Sequence, residues 1–250
     1  MSVLERGLDL LDRLADLGDA SVADLARRVG TDPSQVHRAL RVLQQRGYVE
    51  QDSGTKRYRL SGRIMEMASS QLKRIDVRAE AQPILRGLAD MTTHTAHLAI
   101  LSRQYAVIID RARGASAVSV NIEMGEIAPL HATALGKALL AHLDAPMIDT
   151  ILTDIDRTPL TAHTVLSEVD LRARLTEIRA CGYATDDEEA FEGVRCVAAP
   201  VFNWTDRVVA AIGVSGPAWL ISPMLFSALA QQVLVASSAL SCKLGGRVHE

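Results

Sequence analysis

Apolar positions recur at helical spacing three times within the first fifty residues. Residues 2–17 open on Ser2 and Glu5, three apart as a capping box requires, and continue as an amphipathic helix to about Leu17. Residues 21–30 repeat the device: Ser21 and Asp24 form an approximate capping box, Val22, Leu25, Ala26 and Val29 keep one face, and Gly30 supplies the stop. A third helix begins at once. Asp32 is its N-cap, Pro33 fits the first position because its missing N–H would be unpaired there, and Gln35 sits at the third. Its apolar stripe is Val36, Ala39, Leu40 and Leu43, and Gly47 ends it, which places the helix over residues 33–46. The period then changes: residues 48–50 and 56–60 have strand character, and Asp52-Ser53-Gly54-Thr55 supplies the turn between them.

Helix, sharp turn, helix and hairpin in this order predict a winged helix-turn-helix, with duplex DNA as partner. With the stripe of the third helix facing inward, Ser34, Gln35, His37, Arg38, Arg41 and Gln45 fall on the outer side, which carries cations, amides and a hydroxyl but no acid. Such a face suits a major groove. The hairpin offers Lys56, Arg57 and Arg59 to phosphates, with Tyr58 beside them as a further contact. Net charge is only −3 for the chain, but residues 1–26 hold two arginines against six acids, −4, whereas residues 27–60 hold eight Lys or Arg against three acids, +5. The positive field is local, as phosphate neutralisation needs. The plainer alternative is a solvated basic face on an ordinary helical domain.

At 250 residues the chain has room for a second core. Residues 62–74 read as a connecting helix with Ile64, Met65, Met67, Ala68 and Leu72 available for burial, and residues 77–91 as another. Strand patterns follow at 97–101, 106–110 and 117–122, a helix at 135–142, strand signals at 182–183, 194–202 and 208–214, and a last helix at 223–240. The mixture predicts an α+β second domain with a largely antiparallel sheet. The expected division is a DNA-binding domain at 1–60, a linker helix at 61–76 and a larger domain at 77–250. No unbroken apolar run of about eighteen residues occurs, and the first residues lack the basic-then-apolar order of a secretory signal, so a cytoplasmic protein without a membrane partner is expected. Cys181, Cys196 and Cys242 are odd in number and widely spaced, which suggests neither a disulfide framework nor a zinc site.

The later segments carry a more specific likeness. The run Pro129-Leu130-His131-Ala132-Thr133-Ala134-Leu135-Gly136-Lys137-Ala138-Leu139-Leu140-Ala141 resembles the signature of the IclR family of bacterial transcriptional regulators. So do Gly182-Tyr183-Ala184, the acids Asp187-Glu188-Glu189, the strand 193–201 around Cys196, and Ala211-Ile212-Gly213-Val214-Ser215-Gly216-Pro217; His37-Arg38 and Gly47-Tyr48 match at the N-terminal end. The resemblance implies a winged-helix DNA-binding domain, a linker helix and a GAF-like effector domain that binds a small molecule. It also implies homodimers through the DNA-binding domains, often paired into homotetramers. By motif, the ligand positions are Thr133, Ala134, Leu135, Asp186, Cys196 and Ser215.

One group stands on physics as well: Thr133 can cap a helix whose free N–H groups at 134–136 would cradle a carboxylate or other electronegative group. Read alone, Thr133 merely caps and Cys196 is a small core residue. Two departures from the family pattern matter. Gly213 stands where members often have Ser, which predicts a larger pocket and a bulkier or aromatic acid or amide as ligand. Ser61-Gly62 follows Leu60 where the family has Gly directly, so the linker helix is expected to start one residue later, with its cap unassigned.

Catalysis finds nothing organised. Asp186, Asp187, Glu188, Glu189 and Glu192 form an acidic run near Cys196, read as a solvated face, and there is no GxSxG, HExxH or phosphate-binding loop. His94 and His97 are three apart where the pattern turns to strand, so they point different ways, and no third zinc ligand accompanies them; no metal or cofactor is expected. His131 is read as orienting the loop before the helix at 135. The competing classes are a ligand-sensing module without sequence-specific DNA binding and an enzyme fused to a helical adaptor. The expected mechanism is allosteric: ligand in the effector domain alters how the linkers hold two recognition helices on two half-sites, with either sign of regulation open.

Overall fold

The computed structural model describes residues 2–72, 76–116, 118, 120 and 122–246. The chain divides into two compact units, Met1–Ile75 and Asp76–Glu250.

In the first unit, α1 (Val3–Leu17), α2 (Val22–Val29) and α3 (Pro33–Gln45) surround a core of Leu10, Leu14, Leu25, Val36, Leu40, Val49 and Tyr58. The caps are those the sequence suggests. Ser2 and Glu5, and Ser21 and Asp24, satisfy each other's backbone N–H reciprocally, and the Asp32 carboxylate accepts the Ser34 N–H at 2.8 Å ahead of Pro33. Gly30 ends α2 in the left-handed region at φ 67°, where a side chain would be strained. The hairpin of β2 (Val49–Gln51) and β3 (Tyr58–Leu60) gains a third strand absent from the sequence reading, β1 (Asp19–Ala20), in the antiparallel order β1-β3-β2. Asp52 fixes the hairpin tip by accepting from Gly54 N, Thr55 N and Thr55 Oγ1. The linker helix α4 (Gly62–Leu72) is capped by Ser61, whose hydroxyl accepts the Arg63 N–H at 3.2 Å and donates to Gly47 O, so the extra residue after Leu60 is itself the cap. The last part of the expected linker, residues 73–75, lies outside the described residues.

The second unit is built on a six-stranded sheet in the order β6-β5-β4-β9-β8-β7, antiparallel at every pairing. Its strands are β4 (Thr95–Ser102), β5 (Tyr105–Ala112), β6 (Ile127–Pro129), β7 (Ala184–Asp187), β8 (Val194–Phe202) and β9 (Val208–Pro217). Helices α5 (Val77–Thr92) and α9 (Phe226–Lys243) pack on each other and on the sheet. The fully buried α6 (Ala134–Ala141) packs on β8, β9 and α8 (Glu168–Cys181), with α7 (Ala145–Asp154) between them in sequence. Both α7 and α8 escape the sequence reading, although Asp144 with Pro146, and Ser167 with Asp170 and Gly182, are ordinary start and stop signals. Gly182 closes α8 at φ 80°, so β7 begins two residues later than the strand signal at 182–183. Ala117, Ser119 and Asn121 of the strand expected at 117–122 lie outside the described residues, and Val118, Val120 and Ile122 carry no strand.

Residues Pro223–Lys243 have a mean hydropathy of 1.4 and are long and apolar enough to cross a membrane by composition alone. Here Leu229, Ala230, Val233, Ala236 and Leu240 bury one face of α9, and Ser237 donates to Pro200 O, so the helix belongs to the domain core.

Candidate functional site

In the first unit the outer face of α3 exposes Ser34, His37, Arg38, Arg41 and Gln45. Arg38 leans back along the helix, its Nε 3.4 Å from Ser34 O. Gln35 is turned half inward, toward an apolar groove it lines with Leu8, Val42 and Met67. One hairpin assignment changes. Tyr58 is not a surface contact: it is 2% exposed and sits in the core with Val49 and Leu14, because β3 pairs on both sides and alternation turns residue 58 inward. Arg57 is tied to Asp19 at 3.0 Å and to Asp24 at 3.7 Å, and Arg59 to Glu50 at 2.6 Å, which offsets part of the charge either could present. Lys56 is exposed at the turn.

In the second unit, Thr133, Ala134, Leu135, Asp186, Cys196 and Ser215 all line one cavity of about 40 Å³. Strand register explains half of that convergence: Asp186 lies opposite Cys196, and Cys196 opposite Ser215, so three polar side chains from β7, β8 and β9 form one row. The first turn of α6 meets this row. Thr133 Oγ1 accepts the Gly136 N–H at 3.0 Å and donates to Pro129 O at 2.7 Å, while the first N–H groups of a helix have no carbonyl partner within it.

His97 completes the lining, a role that sequence does not assign, since it weighs the residue only with His94 as a zinc pair. Its Nε2 lies 2.7 Å from Ser215 Oγ, and its Nδ1 is buried with no partner among the described residues. Burial, helped by the nearby Arg111 charge, pushes the imidazole down to about 4, so it is neutral. Residues 95–99 of β4 are buried on both faces, so no alternation in the sequence singles His97 out.

Asp186 is 2% exposed, and its Oδ1 accepts the N–H groups of Glu189 at 2.8 Å and Ala190 at 3.3 Å. Burial raises its pKa to about 6, against the opposing pull of Lys137. The Cys196 thiol is pushed well up by desolvation and by Asp186, which leaves it neutral. The acidic run is only in part the solvated face expected: Glu192 is exposed, but Asp186 and Glu189 are not. Glu189 takes both oxygens to Lys137 Nζ at 2.6 Å in a buried pair, and Arg195 holds Asp187 at 2.5 Å and Glu188 at 3.0 Å.

The expectation that Gly213 enlarges the pocket is overturned by strand packing. A Cβ at 213 would lie 2.5 Å from Val197 O and 2.7 Å from Ala198 Cβ, so the missing side chain leaves no room; β8 fills it. Roughly three waters' worth of space remains, by the usual volume per probe-sized sphere.

Two buried groups of opposite sense make a pH prediction. His97 is harder to protonate folded than unfolded, so falling pH from 6.5 to about 4 destabilises the fold through it. Asp186 is easier to protonate folded, so falling pH from about 6 to 3.8 stabilises the fold through it. Each contribution is roughly 3 kcal/mol from shifts of two to two and a half units, and they nearly cancel. Asp186→Asn removes the compensation. Denaturant melts between pH 6 and 4 should show the variant losing about 1.4 kcal/mol per pH unit relative to the unsubstituted chain; parallel curves would refute the assignment.

The profile described as bacterial transcriptional regulator IclR C-terminal matches residues 69–242, and the IclR helix-turn-helix domain matches residues 3–53. The chain is 34% identical over 244 residues to the HTH-type transcriptional regulator BhcR of Paracoccus denitrificans, covering 98% of this chain and 88% of that protein. It is 33% identical to the HTH-type transcriptional regulator XynR of Escherichia coli, covering 97% and 96%. The crystal structure of Pseudomonas aeruginosa HmgR superposes with a TM-score of 0.79 at 28% identity, over 97% of this chain and 98% of that one.

Proposed function

Since the chain belongs to the IclR family, as a ligand-responsive regulator that binds operator DNA and is not an enzyme, we propose which of its residues do so and what its effector is. Helix α3 enters the major groove with Ser34, His37, Arg38 and Arg41 toward base edges and phosphates, Gln35 contributes from the margin, and Lys56 with Arg57 reaches the flanking backbone. The effector is a small organic acid or its amide. One observation carries this: the first turn of α6 meets a small cavity whose polar groups are Thr133, His97, Asp186, Cys196 and Ser215. The small volume favours the shortest acids, from two carbons upward, over an aromatic acid.

A homodimer accounts for the apolar groove between α1, α3 and α4, where Val3, Leu4, Leu8, Val42 and Met67 are between 47% and 75% exposed. Two copies would set two α3 helices on two half-sites in the cytoplasm, and pairing of dimers follows the family pattern. The test is a duplex-binding titration of the full chain with DNA flanking its own gene, with and without two- to four-carbon monocarboxylates and benzoate. Operator affinity should change with a small acid, and acid affinity should change with operator by the same factor. Response to benzoate alone would reject the size reading, and sedimentation showing monomers on DNA would reject the dimer.

A further inference from the structure

Among the described residues that line the effector cavity there is no lysine or arginine, yet there is a buried carboxyl group. The groups that face Asp186 cannot neutralise a second acid. Lys137 on α6 has its ammonium on both Glu189 oxygens, Cys196 on β8 is a neutral thiol, and His97 on β4 is a neutral imidazole. Arg111 on β5, whose charge reaches His97, is engaged by Ile122 O at 2.6 Å and Glu123 Oε2 at 2.8 Å. A carboxylate seated on the first turn of α6, in a space of about 40 Å³, would lie against Asp186. Two carboxylates in contact cannot both stay charged in a desolvated site. His97, whose Nε2 lies 2.7 Å from Ser215 Oγ, lines the same cavity and adds a neutral polar group to it.

We propose that this cavity binds its acid together with one proton, Asp186 turning neutral and donating a hydrogen bond to the bound carboxylate, so that pH decides between an acid and its amide. The proton is taken from solvent on binding and returned on release, and no other bond changes. An amide needs no proton, because its N–H can donate to ionised Asp186 while its carbonyl takes the helix end. The proposal rests on the small-acid reading above and adds to it the protonation state and the residue that sets it. Asp186 acts as a specificity residue, apart from its structural acceptance of the Glu189 and Ala190 N–H groups.

The experiment is isothermal calorimetry on the full chain with acetate, glycolate and propanoate, and with acetamide and propanamide, in HEPES and in Tris, whose ionisation heats differ. For the acids, the two buffers should give heats that differ by nearly one proton at pH 7.5. Above the free-site pKa of about 6, the acid Kd should rise about tenfold per pH unit, while the amide Kd stays flat. Asp186→Asn keeps an acceptor oxygen for the two N–H groups and brings its own donor, so it should bind the acids with no proton uptake and no pH slope. Acid binding without proton uptake in the unsubstituted chain overturns the proposal and leaves the small-acid reading standing. No heat from any acid between pH 5.5 and 8 removes that reading, and the proposal with it. The acid-against-amide comparison needs no variant, so it decides even if Asp186→Asn folds poorly.

Discussion

Lys137→Met is expected to cost the second unit about 3–5 kcal/mol, the usual penalty for removing one partner of a buried pair. The two side chains are 3% and 12% exposed, with Nζ 2.6 Å from both carboxylate oxygens. The cost comes from what is left behind: Glu189 would keep its charge without a counter-ion or take up a proton in a fold shaped for the anion. The pair spans the two walls of the cavity, α6 and the turn after β7, so its loss also loosens the frame that holds Asp186 and the α6 first turn against the cavity. Lys137→Met with Glu189→Leu should recover most of the stability, since an apolar pair of similar volume replaces a desolvated ion pair at little net cost. Denaturant unfolding of the two singles and the double measures the coupling. A single-variant loss under about 1 kcal/mol would mean that the pair is solvated in solution, as exposed pairs of that strength are.

The same pair shows where sequence reading stops. Caps and turns are local, and Ser2, Ser21, Asp32, Thr133 and Gly30 can be assigned from neighbours three or four residues away. Convergence across 52 residues, as between Lys137 and Glu189, depends on which strands pair and in what register, and an acidic run by itself looks like surface. Motif resemblance reaches the three-strand row of Asp186, Cys196 and Ser215; periodicity places only Cys196 in a strand and cannot set the row side by side. His97 needs the pairing of β4 with β9 before its partner Ser215 has a meaning. Gly213 misleads for the converse reason: an absent side chain reads as space, when antiparallel packing has already filled it with Ala198. Basic neighbours on both sides draw Tyr58 outward in the sequence, while its inward turn follows from β1, a strand two residues long that no pattern announces.

On the DNA side, Arg41→Ala and Arg38→Ala are each expected to weaken operator binding by about 1–3 kcal/mol per contacted half-site if they read bases, and the dimer doubles the effect. Arg41 stands in the middle of the exposed face of α3, one turn from His37, and has the reach for a guanine edge or a phosphate. Arg38 starts from a bent-back position over Ser34, so binding must first extend it, and its removal should cost less than that of Arg41. Salt and sequence dependence separate the two roles. A base reader, once removed, relaxes preference at one position of each half-site; a phosphate-binding residue, once removed, lowers affinity for every duplex alike and reduces the slope of log K against log salt by about one for each phosphate no longer neutralised. Arg59→Ala is the internal control, since Arg59 is already paired with Glu50 and should change binding least. Unchanged affinity, salt slope and footprint in both α3 variants would remove α3 as the recognition helix, and a larger drop from Arg59→Ala would move the reading surface to the wing.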